Sequence, residues 1–288
     1  GLSGRATYDY DQRYLFEFNF GYNGTERLGK GDRFEFFPAV SLGWLVSNEK
    51  FFEPLSDVVS SLKLRGSYGL VGSDETGPSN APHFLYIDQV QVTGNGRPGF
   101  TTGENLNVSY YGPVVQQWAV QNGGWERVKK LDVGFDMELF RELSITFAFF
   151  YDKRYNILLH REAWPQSLGF HEAKPWSNKG KVDNWGYEVS TNWRKQFTKD
   201  LTVDFRGTFT YTQNKYIDVD EPIYPYVWQT ATGKPLNRRN GYIAEGLFQS
   251  QEEIDNSPTQ NLGSKPMPGD IKYRDVDGNG VIDSKDQV

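Results

Sequence analysis

Along much of this chain apolar and polar residues alternate one by one. After Arg13, the residues Tyr14, Phe16, Phe18, Phe20 and Tyr22 share one parity, and Glu17, Asn19 and Gly21 share the other. Successive side chains of a pleated strand point to opposite faces, so the segment predicts a strand with an aromatic side and a polar side. The period returns where Val40, Leu42, Trp44 and Val46 alternate with Ser41, Gly43 and Leu45, and where Leu62, Leu64, Tyr68 and Leu70 alternate with Lys63, Arg65 and Ser67. It returns again with Leu131, Val133, Phe135, Met137 and Leu139 opposite Asp132, Asp136 and Glu138, then with Leu143, Ile145, Phe147, Phe149 and Tyr151 opposite Ser144 and Thr146. Trp185, Tyr187, Val189 and Trp193 oppose Glu188, Ser190, Asn192 and Arg194, and Leu201, Val203, Phe205, Phe209 and Tyr211 oppose Thr202, Asp204, Arg206 and Thr208. With residues 5–10 this makes about eight strands, each near the roughly 9–11 residues of a tilted membrane crossing.

The predicted connections alternate too. Tight ones fall at Asp11-Gln12, Arg141-Glu142 and Lys199-Asp200, with a moderate one over residues 48–60. Long ones fall over residues 23–35, 72–127, 153–184 and from 215 onward. Short turns on one side and long loops on the other are the arrangement of an outer-membrane barrel, with turns in the periplasm and loops outside. A soluble sandwich also has half-buried strands, but it does not require that order. The fold class expected is therefore all-β, an antiparallel transmembrane β-barrel portion with short periplasmic turns and long extracellular loops. Its aromatic faces would meet lipid, with Glu17, Arg65, Asp136, Glu188 and Arg206 turned to the lumen. Tyr14, Tyr22, Trp44, Tyr151, Trp185 and Tyr211, near strand ends, would form interfacial girdles.

Composition sharpens this picture. Aromatics are 16% of the 288 residues against 37% hydrophobic in total, a large share for rings suited to a boundary between water and lipid. Mean hydropathy is -0.65, and no run approaches the roughly 18 apolar residues of a spanning helix, so a helical membrane protein is excluded while a barrel is not. A net charge of -6 offers no basic footprint for nucleic acid. The absence of cysteine removes disulfide frameworks and thiolate metal sites.

The sharpest local motif is the twelve-residue stretch from Asp275 to Asp286. As a calcium loop it offers Asp275, Asp277 and Asn279 at positions one, three and five, with Gly280 at the sharp turn and a backbone carbonyl from Val281. Ile282 is the apolar position that docks the loop, Asp283 contributes directly or through water, and Asp286 takes the last position. Asp rather than Glu at the end is similar to dockerin-type loops. The bland alternative is a metal-free Asp/Gly turn. A structural Ca²⁺ outside the membrane is expected here.

Other chemistry is not supported. Gly94-Asn95-Gly96-Arg97-Pro98-Gly99 fits the dinucleotide fingerprint only formally, since no strand leads into it and no helix follows. His83, His160 and His171 lack zinc-site spacing, there is no Gly-x-Ser-x-Gly elbow, and no feature pairs two carboxylates for acid/base work, so no enzyme is expected. Phe84, Tyr86, Phe100, Tyr110, Tyr111 and Trp118, set in a Gly/Pro/Asn/Ser-rich connection, suit stacking on sugars or on a partner, or folding of the loop on itself.

Several phrases resemble the SusC/RagA family of TonB-linked outer-membrane proteins: residues 4–10, 13–17, 36–44 (FFPAVSLGW), 62–69 (LKLRGSYG), Trp125-Glu126, 134–136 and 269–275 (GDIKYRD). They run in family order over essentially the whole chain. The resemblance implies a barrel of about 22 strands, an N-terminal plug, a TonB-contacting segment and a SusD-like surface lipoprotein over the mouth. Residues 1–288 are then expected to be part of one such barrel, with plug, TonB segment and last strands outside the sequence and the calcium loop within an extracellular loop. The implied activity is TonB-driven import of oligosaccharide or peptide oligomers through the bacterial outer membrane, with its lipid as surroundings. Two other classes stay open: a soluble calcium-stabilised carbohydrate-binding module, and a small adhesin barrel.

Overall fold

The computed structural model describes residues 1–75, 84–92, 98–120, 123–164 and 175–288. It falls into two compact units, Gly1–Asp220 and Glu221–Val288. In the first unit the strands are β1 (Leu2–Tyr10), β2 (Tyr14–Gly24), β3 (Phe34–Leu45) and β4 (Val59–Ser73). The long connection that follows holds the short β5 (Gln89–Gln91), β6 (Pro98–Thr102), β7 (Val108–Tyr111) and β8 (Val114–Gln117). Then come β9 (Glu126–Leu139), β10 (Leu143–His160), β11 (Trp176–Gln196) and β12 (Thr202–Asp218).

Eight strands make one antiparallel sheet in the order β1-β2-β3-β4-β9-β10-β11-β12, a pure up-and-down meander. Register carries the sequence period across the whole sheet. Tyr8, Phe16, Leu42, Gly66, Val133, Phe149, Tyr187 and Tyr211 are successive Cα partners from β1 to β12. One residue along, Thr7, Glu17, Ser41, Ser67, Asp132, Phe150, Gly186 and Thr212 form the next row, which lies on the opposite face. Aromatic neighbours interlock along the first face, with Phe135 and Phe147 stacked at 5.5 Å and Tyr187 and Tyr211 at 5.3 Å. Cβ atoms built at Gly134 and Gly186 would strike the carbonyl oxygens of Phe147 and Tyr211, so the sheet coils there as only glycine permits.

Two hairpins close through turns with positive φ at both central residues, Asp11 and Gln12 (56° and 51°) and Phe140 and Arg141 (54° and 58°). This geometry matches strand twist, which explains why such short turns hold. The second turn is centred one residue earlier than the expected Arg141-Glu142, because Leu139 pairs with Leu143. A larger difference lies in the expected connection over residues 153–184. Strand pairing there continues to His160 opposite Trp176, past a bulge at Asn156 (φ 58°). Alternation is lost at a bulge, and so the sequence period ended before the strand did.

At the long-loop end a small core of Leu28, Phe37 and Trp125, with Leu70 against it, ties the loop over residues 25–33 to the start of β9. The Phe37 and Trp125 rings meet edge to face at 5.2 Å, and the Trp125 indole N–H donates to the Arg33 carbonyl at 3.3 Å.

The second unit pairs β13 (Ala244–Leu247) with β15 (Ile271–Tyr273), and β14 (Thr259–Gln260) in parallel with β16 (Val281–Ile282). Between them the short α1 (Gln251–Asp255) is capped by Ser250, whose hydroxyl accepts the Glu253 amide. Phe248 and Ile282 are its fully buried apolar anchors.

Candidate functional site

Three surfaces can act. The first is the polar face of the sheet, where Thr7, Glu17, Ser41, Lys63, Arg65 and Asp132 border a concavity of about 580 Å³. Arg65 holds Asp132 at 2.7 Å and Asp136 at 3.6 Å, and Arg5 binds Glu17, which also takes the Asn19 amide at 2.6 Å. These cross-strand pairs keep charged groups satisfied on a face that is wetted rather than buried. Glu17, Arg65 and Asp136 fall there as expected; Glu188 and Arg206 share its register through Thr210 and Asn192.

The aromatic face ends in rings whose polar handles are tied to the protein. At the turn end the Tyr14 hydroxyl and the Trp44 indole N–H both donate to Glu49, at 2.7 and 3.1 Å, and Arg13 reaches the same carboxylate at 3.0 Å. The Tyr14 hydroxyl bond, with the Trp44 indole and Arg13, holds Glu49 below the usual carboxylate range, against its partial burial. At the loop end the Tyr151 hydroxyl donates to Asp183 at 2.8 Å. Tyr14 and Tyr22 stand eight residues apart, about 26 Å along a strand, which a tilt of roughly 40° shortens to about 20 Å across the membrane, within the roughly 25 Å apolar band of a bacterial barrel.

The second surface lies among the outer connections of the first unit. Arg27, Lys30, Asp32, Leu85, Tyr86 and Asn178, from three separate segments, border a cavity of about 360 Å³. Asn178 braces it, its amide donating to the carbonyls of Gly124 at 3.1 Å and Asn156 at 2.9 Å. Mixed charges beside a Tyr ring and open carbonyls suit a polar oligomer better than an apolar ligand. No motif marks this cavity, since its parts are distant in sequence. Gln117 pins the connection further, donating to the carbonyls of Phe84 and Ile87 at 3.1 and 3.0 Å. Of the loop aromatics, Phe100 and Tyr110 stack on one another at 4.7 Å across β6 and β7, which spends those rings on folding the loop. His83, His171 and residues 94–97 of the glycine-rich motif lie outside the described residues.

The third surface is the acidic loop of the second unit. Carboxylate oxygens of Asp275, Asp277 and Asp286 lie within 4.8 Å of one another. Gly278 and Gly280, at φ 73° and 85°, let the backbone turn its amides inward. Asp275 accepts the amides of Gly278 at 2.7 Å and Gly280 at 2.8 Å, which hold its pKa below the ordinary value despite some desolvation. Asp286, wholly buried, accepts the Val276 and Asp277 amides at 2.7 and 3.3 Å and the Asp283 amide at 2.8 Å. Asn279 and Asp283 also shape the loop: their side chains accept the amides of Val281 and Lys285, both at 2.7 Å. Val281 sits in β16 opposite Thr259, and Ile282 is the docked apolar residue expected. Sequence spacing missed the aromatic support. Tyr226 stacks on Trp228 at 4.6 Å, the indole donates to the Lys285 carbonyl at 2.7 Å, and a hydrogen bond with Asp277 raises the Tyr226 pKa. Only an Asp/Gly loop separated from its supports by some fifty residues is visible in sequence.

An up-and-down sheet with one aromatic face, one charged face, tight turns at one end and long connections at the other defines the wall of an outer-membrane β-barrel. The chain belongs to the TonB-dependent receptor family, whose barrel model, described as TonB dependent receptor-like, beta-barrel, matches residues 1–263. It is 28% identical over 99% of its length to TonB-dependent receptor SusC of Bacteroides thetaiotaomicron, and 27% identical over 99% to TonB-dependent receptor P3 of Formosa agariphila. It spans 27% and 28% of those proteins' own lengths. A solved structure of the RagAB peptide importer in its closed-closed state superposes on 99% of the chain with a TM-score of 0.70 at 18% identity, covering 29% of that chain. Members of this family are outer-membrane proteins, and the wall described here is placed accordingly.

Proposed function

We propose that this chain supplies part of the wall and several outer connections of a transporter that imports glycan or peptide oligomers across the outer membrane, driven by TonB. A SusD-like surface lipoprotein closes the mouth and holds the substrate against the outer connections. The observation that carries this reading is the two-faced meander itself: a lipid-compatible aromatic face backed by a hydrated, charged one, joined to long connections at one end only. The family relation supports TonB dependence, and SusC as a relative and RagAB as a structural neighbour support a lipoprotein partner. In this reading the cavity bordered by Arg27, Tyr86 and Asn178 contacts substrate or cap.

The test is genetic and biochemical. Deleting the full-length gene should abolish growth on one class of oligomer, peptide or oligosaccharide, while growth on the monomers is kept. The intact protein should co-purify with a surface lipoprotein after mild crosslinking. Normal growth on every oligomer tried, with no lipoprotein recovered, would overturn the reading.

Within the same reading, the acidic loop binds one structural Ca²⁺ through Asp275, Asp277 and Asp286, with Asn279, the Val281 carbonyl and Asp283 completing the shell. Three converging carboxylates, with no lysine or arginine ion-paired to Asp275 or Asp286 among the described residues, favour a hard dication with oxygen ligands. A site of roughly 10⁻⁴–10⁻³ M would be filled at extracellular calcium levels. Calorimetry on the intact protein should give a Ca²⁺ heat that D275A/D277A removes. Equal heats in both proteins would end this assignment.

A further inference from the structure

One row of the aromatic face does not fit a purely apolar band. Just beyond the ring row of Tyr68, Leu131, Tyr151 and Trp185, the register aligns Leu70, Lys129, Lys153, Asp183 and Lys215 as successive Cα partners from β4 to β12. Lys129, Lys153 and Lys215 share the parity of Leu131, Tyr151 and Tyr211, so they stand on the lipid side, and all three are exposed. They are at the long-loop end of the wall, two residues or about 7 Å along the strand past the rings.

Their bonding sets them apart from Arg13 at the other end. There Arg13 is closed off by protein, held by Glu49 at 3.0 Å and Asp11 at 2.7 Å. Among the described residues none of the three lysines is in an ion pair, although Lys130 and Arg154, their neighbours on the concave side, are paired with Asp152 and Glu126. Lys129 lies over the face of Tyr155, at 5.5 Å from the ring centre. Asp183, the one acid in the row, is buried in the wall and takes the Tyr151 hydroxyl. The row therefore carries three lysines against one buried carboxylate.

We infer that Lys129, Lys153 and Lys215 form a binding belt for the phosphate groups of outer-leaflet lipid. A lysine stem can lie along the apolar rings while its ammonium reaches the headgroup level, and a tyrosine or tryptophan row directly below marks that level. Neighbouring strands about 4.8 Å apart put the flanking lysines within reach of one phosphorylated headgroup or two adjacent ones. The belt is confined to β9, β10 and β12; at the corresponding end of β2 and β3 the lipid side carries Tyr22 and Phe34 instead, stacked at 5.4 Å. Bound lipid would thus be fixed to one sector of the wall, which goes beyond the import reading and rests only on the orientation of the sheet in the membrane.

The experiment uses the full-length protein in neutral detergent, titrated with bisphosphorylated lipid A and with the same lipid enzymatically stripped of phosphate, followed by native mass spectrometry. Each lysine near an anionic surface contributes about fivefold in affinity. K129Q/K153Q/K215Q should bind the phosphorylated lipid at least tenfold more weakly than wild type, while K129R/K153R/K215R should keep binding. The control K50Q/K199Q, at the turn end, should bind as wild type does. If the triple glutamine variant does not fold, as judged by heat-modifiable gel mobility, the three single variants carry the comparison. Equal retention of both lipids by wild type would refute the belt while leaving the membrane orientation intact. Binding of neither lipid would refute the belt and the orientation together.

Discussion

The two units of this chain solve opposite problems with the same residue types. In the first, large apolar side chains are displayed: Tyr8 is 62% exposed, Leu42 60% and Phe205 61%. In the second, Phe248 is 2% exposed and Ile282 fully enclosed, beside a carboxylate, Asp286, that is equally enclosed. The wall is ordered by inter-strand hydrogen bonding and register and leaves its apolar face for lipid to cover. The second unit has few regular hydrogen bonds and covers its own small core, using side chains to satisfy backbone amides. A period-two pattern is therefore a statement about which solvent each face meets, and a buried side chain in an irregular unit is a statement about a local scaffold.

The largest expected effect breaks the comparison from the second side. Phe248 is fully buried, and its backbone accepts the Gly269 amide at 2.7 Å while its own amide donates to the Asp270 carbonyl at 2.9 Å, so the backbone there resists collapse into the void a smaller side chain would leave. Phe248→Ala should destabilise this unit by about 3–5 kcal/mol. Limited proteolysis of the reconstituted protein should then cut within residues 221–288 while the strands stay protected. Unchanged resistance would mean that this core does not hold the unit.

Next in size is a charge on the wall. Phe18 lies mid-strand on the aromatic face, Cα partner of Ala6 and Val40, and Phe18→Arg should cost about 2–4 kcal/mol in the membrane. Glu17→Gln, one residue away on the concave face, loses a partly exposed pair with Arg5 and should cost below about 1 kcal/mol. Urea unfolding in lipid vesicles separates the two. Equal costs would mean that the faces do not meet different solvents.

Much of the wall was legible because one period governed both faces: every strand expected from the alternation exists, and its aromatic and polar residues fall in common rows. What escaped lay where the period breaks. The bulge at Asn156 hid the last residues of β10 and the first of β11, and the positive-φ turn at Phe140 and Arg141 carries neither glycine nor asparagine, the usual mark of such a turn. The acidic loop was legible as a motif, because its ligand residues are close in sequence. Its division of labour was not. Asn279 and Asp283 bond to amides two residues ahead, and Tyr226 and Trp228 arrive from far upstream, relations that exist only after folding. The cavity at Arg27, Tyr86 and Asn178 escaped for the same reason, being assembled from residues far apart in sequence.

The smallest expected effect concerns protons on the second unit and sharpens the claim that its order comes from side chains holding amides. Three carboxylates of the second unit have pKa values below their ordinary range. Asp275 is lowered chiefly by the Gly280 amide, Glu253 chiefly by the Gln249 amide, and Glu221, although burial pushes it up, is lowered overall by the amides of Ala231 and Thr232. A depressed folded pKa means that the ionised group binds better in the folded state, so its stabilisation is present above the unfolded value, about 3.9 for Asp and 4.3 for Glu. That stabilisation is lost as pH falls through the lower, folded value. Acid should therefore leave the unit unchanged from pH 7 to about 5 and loosen it only below the normal carboxylate range. Amide exchange by mass spectrometry in a calcium-free buffer can follow this segment by segment. Exchange at residues 278–280 should report Asp275 and exchange at residues 231–232 should report Glu221, since each carboxylate holds those amides directly. Asp275→Asn should raise exchange at 278–280 already at pH 7 and flatten its acid dependence, while leaving the step at 231–232 where it was. A step at 278–280 that survived the substitution would show that another group orders that loop, and the link between the lowered Asp275 pKa and its amide bonds would fail.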